Sequence, residues 1–199
     1  MEISPLVVEK HDSFIGVWDK IVTPEQCVRM CGMIDDMLSN TVNPYGAVGE
    51  INDDKAPLLR VDECLYAEEV NPELHQYFTH VLSQMIAAYK KHYHTLSSIS
   101  EFASTSVKLQ RTKPRGGFHK WHCEQSQVET ARRVMAWMIY LNDMPEGEAE
   151  TEFLWQGVKL QPKAGRGCIW PAAWTHVHRG NTVYTQNKYI ATGWFYLIK

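Results

Sequence analysis

The chain has 199 residues, 44% hydrophobic and 22% charged, with a formal net charge of −3. That is one domain's worth of chain with enough apolar content for a packed core, so we expect a single domain over 1–199. The slight acidity argues against a nucleic-acid partner, which calls for a basic face, and no run approaches the roughly 20 apolar residues of a membrane span.

The N-terminus, Met1-Glu2-Ile3-Ser4-Pro5, lacks a basic region followed by an apolar stretch, so no secretory leader is expected. Five cysteines without a Cys-x-x-Cys pair fit a reducing, cytoplasmic setting and form no zinc spacing. Thr23-Pro24-Glu25-Gln26 reads as a capping box with proline at the first helical position. Cys27, Met30, Cys31, Ile34, Met37 and Leu38 then recur at helical spacing, and Cys27 and Cys31 should share a buried face instead of a disulfide. Residues 40–62 read as loop. Over 40–60 a mobile lid near the site is one reading and a solvated connection the other. Asn71-Pro72 should start a second helix, whose stripe is Leu74, Tyr77, Phe78, Val81, Leu82, Met85, Ile86 and Tyr89. We therefore expect helical support over about 1–100.

From about residue 105 the period becomes two. Val107, Leu109 and Arg111 alternate with Lys108, Gln110 and Thr112, Val134–Leu141 is apolar enough for a central strand, and Tyr189–Ile198 reads as the last strand. Glu146-Gly147 and Ala164-Gly165-Arg166-Gly167 supply turns. Helices first and short strands after predict a mostly β core over about 105–199, a sandwich with supporting helices.

His122 and Glu124 are the most informative residues. On an extended strand, residues i and i+2 point the same way, so this imidazole and this carboxylate can grip one ion. A further histidine would complete two imidazoles and one carboxylate, the facial set of a non-haem Fe(II) site with three positions open. His119, His176 and His178 are all available for that place. Zinc accepts such a set too.

Further segments carry a specific resemblance: Tyr140-Leu141-Asn142-Asp143, Glu146 to Phe153, Gln161 to Gly165, Trp174 to Gly180, Asn187-Lys188-Tyr189 and Thr192-Gly193-Trp194. With Trp121-His122-Cys123-Glu124, their order and spacing over 107–198 resemble the prolyl-4-hydroxylase-like branch of the Fe(II)/2-oxoglutarate-dependent dioxygenases. The resemblance implies a double-stranded β-helix (jelly-roll) core. It implies Fe(II) bound by His122, Glu124 and His178. The family's distal histidine stands just before x-Gly, with a basic residue ten positions on, and 188 − 178 = 10. Glu124 stands where the family usually has aspartate and is read as a variant ligand.

Lys188 would hold the C5 carboxylate of 2-oxoglutarate, with help from the Tyr140 hydroxyl. Thr192 and Trp194 match family pocket positions, and strand parity puts Lys188, Ile190, Thr192 and Trp194 on one face. Gln110 and Thr112 could bond the co-substrate or line the pocket. Arg111, Arg115 and Lys120 read as a solvated face. The implied reaction is hydroxylation of an unactivated C–H bond with O2, releasing succinate and CO2, with ascorbate as a candidate accessory reductant. A peptidyl residue such as proline is the expected target. The alternatives are a small-molecule, lipid or nucleobase substrate, or a metal-binding jelly-roll without turnover.

Overall fold

The computed structural model describes residues 7–40, 60–99 and 101–198. All but the ends of the expected 40–60 lid thus lie outside the described residues. In chain order the elements are β1 (Val7–Asp12), β2 (Ile15–Asp19), α1 (Pro24–Asn40), β3 (Arg60–Val61), β4 (Glu63–Tyr66), α2 (Ala67–Val70) and α3 (Pro72–His92). There follow β5 (Phe102–Ala103), β6 (Lys108–Thr112), β7 (Gly117–Phe118), β8 (Arg133–Tyr140), β9 (Thr151–Phe153), β10 (Val158–Leu160), β11 (Gly167–Pro171), β12 (His178–Gly180) and β13 (Lys188–Leu197).

Both long helices start where their caps predict. Thr23 and Gln26 exchange hydrogen bonds: the Gln26 N–H donates to Thr23 Oγ1 at 3.3 Å and the Thr23 N–H to Gln26 Oε1 at 3.1 Å. Asn71 Oδ1 accepts from the Leu74 N–H at 3.0 Å, with Pro72 in the first turn. The five cysteines are free thiols. Burial pushes Cys27 and Cys31 up to about 12, so both are neutral packing groups. No described helix is long and apolar enough to cross a membrane.

The large antiparallel sheet runs in the order β1-β2-β11-β8-β13-β6-β4, with β5 also paired to β13. A smaller sheet, β10-β9-β12, faces it, and β3 pairs with β7. The jelly-roll core is these two facing sheets, with helices on the outside of the larger one. Strand parity divides the apolar residues into two cores. Trp18, Met135, Trp137, Ile139, Ile169, Ala191 and Phe195 turn toward α1 and α3 and pack on Met30, Ile34, Phe78, Val81 and Met85. Val17, Ala136, Tyr140, Cys168, Trp170 and Ile190 turn the other way, toward Phe153 and Leu160 of the small sheet.

The N-terminal part differs from the expectation of helical support alone. β1 and β2 extend the large sheet beyond β11, and β4 forms its opposite edge. The β1–β2 hairpin turns through Ser13 and Phe14, both with positive φ (49° and 64°). Such a two-residue turn ordinarily carries Asn-Gly or Asp-Gly, so its usual signature is missing from the sequence. The hairpin is secured from behind: the Tyr89 hydroxyl donates to the Phe14 carbonyl at 2.7 Å, and the Ile21 N–H to the Gly165 carbonyl at 2.9 Å. Gly165 has φ 77°, and a Cβ there would collide with the Val22 carbonyl, so glycine is required for this approach.

Phe78 on α3 is fully buried against the sheet. Phe78→Ala is expected to lower the unfolding free energy by about 3–5 kcal/mol, measured by urea titration with an unchanged m-value.

Candidate metal centre and co-substrate pocket

His122 and His178 sit opposite each other in an isolated antiparallel bridge. The His122 N–H donates to the His178 carbonyl at 3.0 Å, and the His178 N–H to the His122 carbonyl at 2.9 Å. Each imidazole then turns its Nδ1 onto the carbonyl two residues before it: His122 on Lys120 and His178 on His176, both at 2.9 Å. Nδ1 must carry the proton to make these bonds, which leaves Nε2 as a lone pair on each ring. Both Nε2 atoms face Glu124 Oε1, at 3.4 Å from His122 and 3.3 Å from His178.

Two imidazole lone pairs and a carboxylate oxygen converging on one point repel one another unless protons or a metal cation lie between them. Donors bound at right angles about 2.1 Å from one ion would be roughly 3 Å apart, close to the spacing here. The three donor atoms all lie within 4.8 Å of one another, so these side chains could hold one divalent ion. Burial works against the Glu124 charge, and hydrogen bonds and positive charge at His122 and His178 outweigh it and pull the carboxyl well below the usual range; a bound cation would act in the same direction. Phe118 stacks on the His122 ring at 3.9 Å, and Trp170 meets the His178 ring edge-on at 5.1 Å.

The other two candidate histidines are turned away. Trp174–His176 is a short 3-10 segment, so the i, i+2 equivalence of His176 and His178 on a strand does not arise. His176 is buried with Nε2 against the Ser13 carbonyl at 2.8 Å. His119 turns Nδ1 to the Gly180 carbonyl at 3.2 Å.

The triad opens into a cavity of about 1090 Å³ between the two sheets, and Gln110, Thr112, Lys188, Thr192 and Trp194 share its walls. Lys188, at the buried start of β13, donates from Nζ to the Ala149 carbonyl at 2.7 Å and lies 5.5 Å from the centre of the Tyr140 ring. Burial pulls its ammonium down to about 8. Tyr140 is fully buried beneath, its hydroxyl donating to Thr151 Oγ1 at 2.7 Å. The Gln110 amide nitrogen is engaged by Asp62 at 3.0 Å, and the Thr192 hydroxyl by the Trp137 carbonyl at 2.7 Å. Trp194 reaches the metal side of the cavity instead: its indole N–H donates to Glu124 Oε2 at 2.7 Å.

Three arginines are committed to carboxylate partners. Arg166 grips both Asp19 oxygens at 2.6 and 2.9 Å. Arg179 pairs with Glu152 at 2.9 Å over the Trp121 ring. Arg111, on the helix side of β6, is held by Glu63 and Asp35 and faces away from the cavity. Sequence reasoning missed Thr151 and Arg133 as residues of the site. Arg133 opens the apolar β8 run, and nothing local marks it as a neighbour of Glu124.

Residues 107–196 match the 2OG-Fe(II) oxygenase superfamily. No curated protein matches the chain. Among solved structures, a Pseudomonas putida prolyl-4-hydroxylase is similar at 14% identity over 94% of each chain, with a TM-score of 0.69. A prolyl hydroxylase from Trichoplax adhaerens, in complex with a hypoxia inducible factor oxygen degradation domain peptide fragment, is similar at 12% identity over 92% of this chain and 83% of its own, with a TM-score of 0.68. The non-heme alpha ketoglutarate dependent carbocyclase SnoK from nogalamycin biosynthesis is similar at 11% identity over 92% of this chain and 79% of its own, with a TM-score of 0.68. At these identities the likeness is one of fold. Residues 107–196 are similar to the 2OG-Fe(II) oxygenase superfamily, a class that works with Fe(II), 2-oxoglutarate and O2, and the His122, Glu124 and His178 group fits an iron site.

His178→Ala is expected to abolish binding of one divalent ion per chain, whereas His176→Ala keeps it. Isothermal titration with Co(II) or Mn(II) reads both.

Proposed function

We propose that the domain hydroxylates a peptidyl residue, with proline the leading candidate, and that His122, Glu124 and His178 hold its Fe(II). The observation that carries this reading is the convergence of two Nε2 atoms and one carboxylate oxygen beside a buried lysine in one cavity. Iron bound there would supply the oxidative chemistry: 2-oxoglutarate, O2 and a C–H bond become succinate, CO2 and a C–OH group.

The chain's own residues bind and orient. Lys188 would hold the distal carboxylate of 2-oxoglutarate through its ammonium, with the Tyr140–Thr151 pair as the floor beneath. Ile190 and Met138 keep that part of the cavity apolar, which strengthens the Lys188 attraction. A chelating co-substrate and O2 would use the three positions the triad leaves open.

The peptide reading rests on the extent of the cavity. At about 1090 Å³ it exceeds the needs of one small dicarboxylate, and it continues across β6 to Cys64, Leu65 and Tyr66 of the edge strand β4. An extended peptide suits such a path, because its backbone can follow strand edges while one side chain enters the pocket. Proline costs little entropy to order. A second reading, a small-molecule oxygenase, is favoured by the fold shared with SnoK. Succinate release with Fe(II) and 2-oxoglutarate, stimulated by proline-containing peptides or by small metabolites, separates the two. Stimulation by metabolites alone would overturn the peptide assignment and leave the oxygenase reading in place.

Lys188→Ala should weaken 2-oxoglutarate binding roughly 10–150-fold, the worth of a charge-assisted hydrogen bond, while Co(II) affinity stays within a few-fold. A pH effect should accompany it. Lys188 is charged below about 8 and neutral above. The dianion needs the charged form, so its affinity is expected to be flat below pH 8 and to fall roughly tenfold per pH unit above it. Titrating 2-oxoglutarate into the Co(II) form across pH 7–9.5 tests the sign, and the Lys188→Ala protein should lack the bend.

A further inference from the structure

Glu124 has three side-chain torsions, so its carboxylate could meet an ion through one oxygen or both. The structure allows it one choice. Oε1 faces the two imidazoles, while Oε2 accepts from the Trp194 indole N–H at 2.7 Å and lies 3.4 Å from Arg133 Nη1. The Arg133 guanidinium carbon lies over the Trp194 ring, 3.6 Å from its centre, and the same Nη1 is 3.5 Å from the Glu124 carbonyl. Gln125 ties the intervening loop by donating to the Ala131 carbonyl at 3.1 Å and to the Arg133 carbonyl. Arg133 and Trp194 lie on adjacent strands, with Trp194 opposite Ala136 and Tyr196 opposite Arg133.

We propose that Trp194 and Arg133 are a positioning pair that keeps Glu124 a one-oxygen ligand. This rests on the metal-centre reading above. A carboxylate that swung round to bind through both oxygens would have to leave the indole N–H. It would also take one of the three open positions of an octahedral ion. Holding Oε2 therefore does two things: it fixes the orientation of a long, rotatable ligand, and it preserves the room for a chelating co-substrate and O2. The stacked guanidinium prevents the indole from turning away and adds a second donor to the same oxygen.

The pair acts through the length of the acid, and that supplies the test. In Glu124→Asp the side chain is one C–C bond shorter, so an outer oxygen that stays near the ion falls about 1.5 Å further from Nε1, beyond hydrogen-bond reach. Trp194→Phe, which keeps a ring under the guanidinium but removes the N–H, is introduced into the Glu124 and the Asp backgrounds. Co(II) affinity is measured by titration calorimetry, and coordination number by visible d–d absorption.

With Glu124, Trp194→Phe should lower Co(II) affinity about 10–100-fold and change the intensity of the absorption. With Asp, it should change affinity within about twofold. Arg133→Met makes the same comparison from the partly exposed side and serves if the tryptophan variant does not fold. Equal losses in the two backgrounds, or no loss with Glu124, overturn the proposal. His178→Ala is the control: if it binds Co(II) as well as the parent protein does, the metal-centre reading itself fails.

Discussion

Two backbone hydrogen bonds between His122 and His178 are the constraint on which the site depends. They join a loop strand after β7 to the first residue of β12, across 56 positions of sequence, since 178 − 122 = 56. Each bond contributes only about 1 kcal/mol to stability. Their value lies in position. With the two backbones locked face to face, the same local device serves both rings, Nδ1 turned onto the carbonyl two residues earlier. The Nε2 atoms are then aimed at one point, and Glu124 has only to reach that point.

The second constraint is strand parity, which lets one sheet serve as both core and site. On β13, Tyr189, Ala191 and Phe195 go to the helices, while Lys188, Ile190, Thr192 and Trp194 go to the cavity. On β8, Met135, Trp137 and Ile139 face the helices, while Ala136, Met138 and Tyr140 face the other way. A slip of one residue in either strand would bury Lys188 against Phe78 and Val81 and present apolar side chains to the co-substrate. The helix-side core, dense in aromatic and methionine side chains, is therefore what holds the chemistry in register.

The legible parts of this architecture are those written in local pattern. Thr23 with Gln26, and Asn71 with Pro72, mark helix starts because capping is a matter of three or four neighbouring residues. The stripe from Leu74 to Tyr89 and the runs ending at Tyr140 and Leu197 are long enough for their period to show. His122 and Glu124 are legible as a close-spaced pair, although the fold sets them on an isolated bridge and a bend and not on a regular strand. The hairpin at Ser13-Phe14 lacks its turn residues. Strand β4 is only four residues long and pairs with a strand more than 40 positions away. His176 looks equivalent to His178 only if the chain between them is taken as strand, whereas it ends a 3-10 turn and bonds the distant Ser13 carbonyl. Arg133 is apparent at the metal centre only once the fold has laid it over Trp194.

Charge balance connects the parts of the proposed site. Counting only the groups proposed to meet metal and co-substrate directly, a divalent ion and the Lys188 ammonium carry three positive charges, and Glu124 with the 2-oxoglutarate dianion carries three negative ones. A buried cavity tolerates charges when they are matched, and penalises those that are not. Without its dianion, Lys188 is an ammonium in an apolar surround with one carbonyl partner at 2.7 Å, and burial accordingly lowers its proton affinity to about 8. In the proposed site the C5 carboxylate would remove that penalty, and Lys188 would hold its proton more tightly with the co-substrate seated. Metal, carboxylate ligand, lysine and co-substrate would thus form one electrostatic unit, in which each charge is stable because the others are present. Lys188 belongs in that account as much as the three donors do.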